Sequence, residues 1–201
     1  MRRSLLASII LTLPMAGYGL SSPALAHSTT GCAGLEPTIV VTGDSAHVVR
    51  GTKRRDVILV LDAGHVVDAG KGDDVICGSA GKDVLRGGPG KDVLKGGDGD
   101  DRLYGGPGND RLFGGSGNDV IHGNAGRDKL RGGEGDDRLF GDAGRDVLSG
   151  DKGDDTVKGG RGRDRVERGA DDHVTTGAGD TEHKSSVDGS CDGSGDGGST
   201  V

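Results

Sequence analysis

The feature that most constrains this chain is a nine-residue period that runs without insertion from Ala69 to Glu167. Eleven consecutive blocks, among them GGDGDDRLY, GGPGNDRLF and GGSGNDVIH, keep glycine in the fourth place, aspartate in the sixth and an aliphatic residue in the eighth. Six of the eleven also begin with two glycines. Repeats of this kind are typical of solenoid proteins, in which each repeat packs only against its neighbours.

The last three residues of each block predict a short β-strand whose middle residue points inward. Successive side chains of a strand alternate between its two faces, so the eighth place builds the core, and residues such as Arg102 and Arg111 face solvent. Six turn residues and three strand residues make half a coil, so residues eighteen apart are expected to stack as parallel neighbours. Because successive blocks then alternate sides, the outward aromatic residues Tyr104, Phe113 and Phe140 are not expected to form one patch.

The second place of the block predicts a backbone conformation that glycine adopts easily. Where this glycine is replaced, the substitutes are Ser79, Asn124, Asp142 and Asp151. Asparagine and aspartate tolerate a positive φ better than other residues that carry a side chain. We therefore expect a left-handed backbone at this place, with Ser79 as the substitute that fits it poorly.

The sixth-place aspartates predict two columns of cation-binding turns. Coils stack about 4.8 Å apart, a distance at which carboxylates in one column repel each other. Calcium–oxygen bonds of about 2.3–2.6 Å let one ion bridge that spacing, whereas magnesium bonds are shorter, and soft metals prefer cysteine or histidine. Pairing each block with the next but one gives about nine sites from eleven blocks. The expected carboxylate ligands are Asp74, Asp83, Asp92, Asp101, Asp110, Asp119, Asp128, Asp137, Asp146, Asp155 and Asp164.

Over residues 69–167 the blocks resemble the repeats-in-toxin (RTX), or hemolysin-type, calcium-binding nonapeptide repeats. The resemblance implies an all-β parallel β-roll in which the aspartates bridge adjacent turns and turn carbonyls supply further calcium ligands. Many members of this family carry a protease, lipase or toxin domain, but no such domain is recognised outside the repeats of this sequence. The carbonyls expected to bind calcium lie near Gly88, Gly90, Gly97, Gly99, Gly106, Gly108, Gly115, Gly117, Gly133 and Gly135.

The segments that flank the repeats predict a secreted protein whose roll has a cap at its N-terminal end. Residues 1–26 have the basic start, apolar stretch and small-residue cleavage site of a signal peptide, although a membrane anchor is an alternative. Residues 27–68 are expected to form an N-terminal β cap of degenerate repeats. Residues 168–201 are expected to form a frayed last turn and a disordered tail rich in glycine, serine and aspartate. No membrane span is expected in the mature chain.

Two histidines of the degenerate repeats take the sixth place, which aspartate holds elsewhere. His47 and His65 are eighteen residues apart, so they are expected to be stacked neighbours. They are interpreted as ordinary cap residues, with a transition-metal pair as the alternative.

The three cysteines leave one thiol without a partner if a disulfide forms. Cys77 occupies an outward place in the first regular block, and Cys32 lies shortly before the cap strands. We predict a Cys32–Cys77 disulfide, with no disulfide at all as the alternative. Cys191 lies in the tail.

The sequence thus predicts a secreted, non-enzymatic protein that binds several calcium ions and folds when it binds them. An adhesin or cell-surface interaction module stiffened by calcium is the alternative. The formal net charge of −7 argues against nucleic acid or an anionic membrane as a partner. No catalytic arrangement is recognised outside the repeats, and partners other than calcium stay open.

Overall fold

The computed structural model describes residues 32–43, 48–168, 172–175 and 180–184. These residues form two parallel β-sheets joined by turns, with a single 3-10 turn at Cys32–Gly34. The predicted all-β parallel β-roll is therefore confirmed. The predicted signal peptide (1–26), His47 and most of the predicted tail, including Cys191, lie outside the described residues. No helix in the described part of the chain has the length and apolar character that a membrane span requires.

The strands that end consecutive nine-residue blocks lie in different sheets, so that the chain alternates between two faces of the roll. The nine-stranded sheet consists of β1 (Ile39–Val41), β3 (Val57–Val60), β5 (Val75–Cys77), β7 (Val93–Asp98), β9 (Arg111–Ser116), β11 (Lys129–Glu134), β14 (Val147–Lys152), β17 (Arg165–Arg168) and β19 (Thr181–Lys184). The ten-stranded sheet consists of β2 (Val48–Arg50), β4 (Val66–Asp68), β6 (Val84–Arg86), β8 (Arg102–Gly108), β10 (Val120–Gly126), β12 (Arg138–Phe140), β13 (Ala143–Gly144), β15 (Thr156–Lys158), β16 (Arg161–Gly162) and β18 (His173–Thr175).

The strand register confirms a coil of eighteen residues. Leu112 of β9 lies between Leu94 and Leu130 in the nine-stranded sheet, and Leu103 lies beside Ile121 in the ten-stranded sheet. All of these eighth-place side chains are buried between the two sheets. The core is therefore one ladder of aliphatic residues for each sheet, as the period predicts.

The central strands are longer than the three residues that the sequence predicts. Strands β7 to β11 have six or seven residues and extend into the turns. The reason is that stacked turns continue the hydrogen-bond ladder: the N–H of Gly90 donates to the carbonyl of Pro107 at 3.0 Å, and that of Gly99 to Ser116 at 2.6 Å. The turns are consequently held in register as firmly as the strands.

The prediction of a left-handed second place is confirmed at three of the four substituted positions. Asn124, Asp142 and Asp151 have φ values of 71°, 68° and 74°. Ser79 does not adopt a positive φ. This residue therefore fits its turn by a different arrangement, which involves the neighbouring carboxylate.

A disulfide links Cys32 to Cys77, as predicted, with 5.6 Å between the two Cα atoms. The 3-10 turn that carries Cys32 covers the outer face of the nine-stranded sheet at Val57 and Val75. These side chains form a second apolar cluster, against which Leu35 packs. The N-terminal end of the roll is thus apolar on both faces of this sheet.

The roll continues beyond Glu167 by one strand in each sheet, where the sequence suggested only a frayed half coil. His173 of β18 pairs with Thr156 after seventeen residues, and Thr181 of β19 pairs with Arg165 after sixteen. The shortened spacing hides these strands from a search for a period of eighteen.

Candidate metal sites between the stacked turns

The sixth-place aspartates form two buried columns, one at each edge of the roll. In one column the N–H of Asp101 donates to Oδ1 of Asp119 at 2.8 Å, and the N–H of Asp119 donates to Oδ1 of Asp137 at 2.8 Å. In the other column the N–H of Asp92 donates to Oδ1 of Asp110 at 2.8 Å. Each carboxylate therefore positions the turn one coil before it, and the predicted columns are confirmed.

The second carboxylate oxygen has no hydrogen-bond partner in most of these turns. Burying an unpartnered carboxylate oxygen is costly, because the group loses its hydration and gains nothing in exchange. A row of buried carboxylate oxygens that accept no hydrogen bond suits the binding of cations. The aspartates with a buried, unpartnered Oδ2 are Asp74, Asp92, Asp101, Asp110, Asp119, Asp128, Asp137, Asp146, Asp155 and Asp164.

Burial raises the pKa of these carboxyl groups far above the ordinary value of 3.8. Desolvation is the main cause, the N–H bond to Oδ1 offsets part of it, and neighbouring carboxylates raise the pKa further. In the metal-free roll the columns therefore hold their negative charge poorly. The pKa is raised to about 7 for Asp101, Asp110, Asp137 and Asp146, and to about 6 for Asp92, Asp119, Asp128 and Asp155.

The first-place glycines leave a space between two oxygen atoms of neighbouring turns. A methyl group on Gly123 would lie 2.7 Å from Oδ2 of Asp128 and 2.9 Å from the carbonyl oxygen of Gly141 in the next coil. On Gly105 it would lie 2.5 Å from Oδ2 of Asp110 and 2.8 Å from the carbonyl oxygen of Gly123. Oxygen atoms that converge at this range suit calcium, whose bonds are about 2.3–2.6 Å.

The carbonyls that the sequence predicts as ligands also face the gap between turns. A methyl group on Gly106 would contact the carbonyl oxygen of Gly88, and one on Gly117 would contact that of Gly99. Eight of the ten predicted carbonyls meet the next turn in this way: Gly88, Gly90, Gly97, Gly99, Gly108, Gly115, Gly117 and Gly135.

Sequence reasoning missed the first-place carbonyls, such as those of Gly141 and Gly123. In the sequence, all turn glycines look like requirements of backbone conformation. The first-place glycines, however, do not adopt a positive φ. Glycine recurs in the first place because a side chain would crowd the oxygens there. The recurrence of glycine in the first place is the signal that could have identified these carbonyls.

Two aspartates at the N-terminal end differ from the rest. Oδ2 of Asp83 accepts hydrogen bonds from the N–H of Ser79 at 2.9 Å and from its hydroxyl at 2.8 Å. Oδ2 of Asp56 accepts corresponding bonds from Thr52, at 2.6 Å from the N–H and 2.9 Å from the hydroxyl. Asp83 thus lies in its predicted column, but Ser79 already donates hydrogen bonds to its Oδ2, the atom that has no partner in most other turns.

Two further aspartates continue the columns at the C-terminal end. The N–H of Asp164 donates to Oδ1 of Asp180 at 2.8 Å. A methyl group on Gly159 would lie 2.7 Å from Oδ2 of Asp164 and 3.0 Å from Oδ2 of Asp180. Asp172 is buried in the other column near Asp155. Sequence reasoning missed both because they follow at sixteen and seventeen residues instead of eighteen.

The structure describes only one of the two histidines interpreted as an alternative metal pair. His65 is buried in its predicted sixth place, but its predicted neighbour His47 lies outside the described residues. Within the described ranges, no three or more side chains of histidine, cysteine, aspartate or glutamate converge on one point. Metal binding in this part of the chain must therefore combine the aspartate pairs with backbone carbonyls.

Two of the three outward aromatic residues belong to a stacked column that the sequence did not predict. Tyr104, His122 and Phe140 stack in one column on the ten-stranded sheet, with ring centroids 5.4 Å and 4.5 Å apart. The cations of Arg86 and Lys158 lie over the two end rings. Sequence reasoning treated only the aromatic residues and left out the imidazole that joins them. Because the rings stack face to face, the column presents their edges and no flat binding surface.

Phe113, the third outward aromatic residue, lies apart from this column. It belongs to β9 of the nine-stranded sheet, where it pairs in register with Lys95 and Arg131. The expectation that successive blocks alternate sides is therefore correct for Phe113.

Comparison with protein families identifies the repeats. The RTX calcium-binding nonapeptide repeat family matches six overlapping segments, at residues 66–85, 78–112, 86–121, 104–139, 113–148 and 131–166. The comparison with curated proteins finds no match. The family match covers half of the chain, includes every regular turn with an open Oδ2 and implies that calcium is the bound ion. The chain belongs to the RTX calcium-binding nonapeptide repeat family.

Proposed function

We propose that this chain is a secreted, non-enzymatic calcium-binding protein that binds several calcium ions between its stacked turns and needs them to fold. The observation that carries the proposal is the series of buried Oδ2 atoms without a hydrogen-bond partner. In the central turns each of these atoms lies near a carbonyl oxygen of the next coil. Hard oxygen donors in a site that combines carboxylates and carbonyls suit calcium.

The two carboxylate oxygens of each such aspartate have different roles. In Asp119, Oδ1 holds the N–H of Asp101 and thereby fixes the preceding turn. Its Oδ2 faces the space beside Gly114, which the carbonyl oxygen of Gly132 also borders. Calcium, when bound, supplies the positive charge that the buried carboxylates lack. The proposed carboxylate ligands are aspartates of the regular repeats.

Dependence of the fold on calcium follows from the composition of one block. A block buries one aliphatic side chain, but it also buries one carboxylate. The aliphatic residue favours folding, whereas the carboxylate opposes it near neutral pH. Calcium binds the stacked turns and not the open chain, so its binding energy becomes folding energy.

Secretion has three lines of support. RTX repeat proteins are typically secreted, and the N-terminal residues have the composition of a signal peptide. The Cys32–Cys77 disulfide suits an oxidising compartment outside the cytoplasm. The absence of catalytic activity is proposed because this repeat fold is not typically catalytic.

Equilibrium dialysis of the purified, metal-free chain against calcium tests the proposal. We expect several calcium ions per chain at millimolar calcium and no comparable binding of magnesium, which resists dehydration and prefers shorter bonds. A chain that retains no calcium under these conditions would contradict the proposal.

A calcium-stiffened adhesin is the second candidate, and the outer face of the nine-stranded sheet favours it. A groove on this face is lined by Arg111, Phe113, Lys129, Arg131 and Ser149, among others. Co-sedimentation with cell-wall polysaccharide, with and without calcium, distinguishes the candidates. An adhesin is retained only with calcium and is released by the double change Arg111→Glu and Lys129→Glu.

A further inference from the structure

We infer that calcium binding begins only at Asp92 and Asp101, and that residues 32–43 and 48–86 form a calcium-independent cap on which the calcium-bound coils assemble. The inference rests on the proposed function and assigns its sites. It follows from the four turns before Asp92. These turns depart from the repeat in different ways, but each departure removes the cation site.

Hydroxyl groups donate hydrogen bonds to Oδ2 of the first aspartate in each column. Thr52 donates two hydrogen bonds to Oδ2 of Asp56, and Ser79 donates two to Oδ2 of Asp83. A carboxylate oxygen that already accepts an N–H and an O–H gains less from a cation than an unpartnered one. In every later turn of the regular repeat, the second place carries no hydroxyl group.

The two turns between Asp56 and Asp83 lack a site for a cation because of a methyl group in one and an imidazole in the other. Ala69 is buried and occupies the first place of its block, which is glycine in every later block. Its N–H bonds to Arg86 as that of Gly87 bonds to Tyr104, so the two first-place residues are equivalent. The methyl group of Ala69 therefore fills the space that later turns leave open. His65 brings no carboxylate to its turn.

Apolar packing replaces ion binding in this part of the chain. Val57 and Val75 are buried on the outer face of the nine-stranded sheet under the segment of Cys32. In β9 and β11 the corresponding seventh places are Arg111 and Lys129, which are exposed. The N-terminal coils thus bury side chains on both faces of the sheet and are tied by a disulfide, whereas later coils have one aliphatic ladder and the ions.

Two consequences follow for the calcium-bound part. Nine aspartate pairs in the regular repeat, less Asp74–Asp92 and Asp83–Asp101, leave seven open pairs.

The folded cap also presents the edges of β5 and β6 as templates for the next coils. Assembly therefore proceeds from the N-terminal end, as expected when stability depends on contacts between neighbouring repeats.

Hydrogen–deuterium exchange of the full oxidised chain in excess chelator tests the cap. We expect the amides of β3, β5 and β6 to be protected and those of β9 to β14 to exchange freely until calcium is added. Reduction of the disulfide should weaken the protection of β3 and β5. Free exchange of β3, β5 and β6 in the oxidised, chelated chain would overturn the inference, since no calcium-independent cap would then exist.

Calcium stoichiometry in variants tests the closed turns. Ser79→Gly removes the hydroxyl bond to Oδ2 of Asp83 and allows this turn the left-handed backbone of the other second places. Ala69→Gly opens the space beside Asp74, and each of the two changes should add one ion to the count of the parent chain. Ser116→Gly, a control at the third place of a regular block, should leave the count of the parent unchanged. Variants Ser79→Gly and Ala69→Gly that bind no more ions than the parent would overturn the inference alone, whereas a chain without bound calcium would overturn the proposed function.

Discussion

Replacing Gly123 by alanine should remove one calcium ion without touching a carboxylate. The added methyl group would lie 2.7 Å from Oδ2 of Asp128 and 2.9 Å from the carbonyl oxygen of Gly141. Gly123 does not adopt a positive φ, and Ala69 occupies the same place in the first regular block. Alanine therefore suffers no strain from a left-handed backbone here, although the oxygens of Asp128 and Gly141 must shift slightly to admit the methyl group. The methyl group then occupies the space between the two oxygens.

The magnitude follows from the mass action of one ion. An ion about 2.3–2.6 Å from both oxygens cannot share this space with a methyl group. At a free calcium concentration of about 100 times the dissociation constant, one site stabilises the folded chain by about 2.7 kcal/mol. Gly123→Ala should therefore lower the free energy of unfolding by about 2.7 kcal/mol at that concentration.

Calorimetry and denaturant unfolding at fixed calcium provide the assay. Gly123→Ala should bind one ion fewer than the parent, and its loss of stability should diminish as calcium is lowered. Ser116→Ala, which changes a third-place residue of the preceding block, is the matched control and should behave as the parent. If Gly123→Ala binds as many ions as the parent with the same affinity, the assignment of the first-place space to calcium is wrong.

Three further perturbations test other parts of the account. In metal-free buffer, lowering the pH from 7.5 to 4.5 should favour the folded chain in a circular dichroism titration. The reason is that burial raises the pKa of Asp101 and Asp110 from 3.8 to about 7. The destabilisation of the folded chain by these carboxylates is absent below pH 3.8 and grows as the pH rises through about 7. An unchanged spectrum would contradict this. Asp119→Ala should lower the calcium count measured by calorimetry, whereas Asp56→Ala should not, because Thr52 already engages that carboxylate; equal counts would contradict the difference. Leu112→Ala should cost about 2–5 kcal/mol in denaturant unfolding with calcium, because this side chain is fully buried; a cost below 1 kcal/mol would contradict the assignment of Leu112 to the core.

The period of nine was sufficient to predict the coil, the two columns and the buried aliphatic ladder. Strand alternation and a constant spacing determine which residues share a face, so Leu94, Leu112 and Leu130 could be placed together without coordinates. The Cys32–Cys77 disulfide was also predictable, because one cysteine preceded the cap strands and the other occupied an outward place in the first block.

The details of the site were not predictable, because they depend on distances between turns. Residue identity alone does not show that first-place glycine provides space while second-place glycine provides a left-handed backbone. For the same reason Ser79 was interpreted as a poor substitute, although its hydroxyl engages Asp83. Asp172 and Asp180 escaped notice because the spacing changes where the regular period ends.

Far-ultraviolet circular dichroism of the purified chain, in excess chelator and then in millimolar calcium, tests the central claim most directly. The account predicts that the metal-free chain at neutral pH has at most the limited β signal of its N-terminal cap. Calcium should then add most of the β signal, and magnesium at the same concentration should not. A full β signal in chelator that calcium leaves unchanged would show that the buried aspartate columns do not need the ion, and would contradict the account.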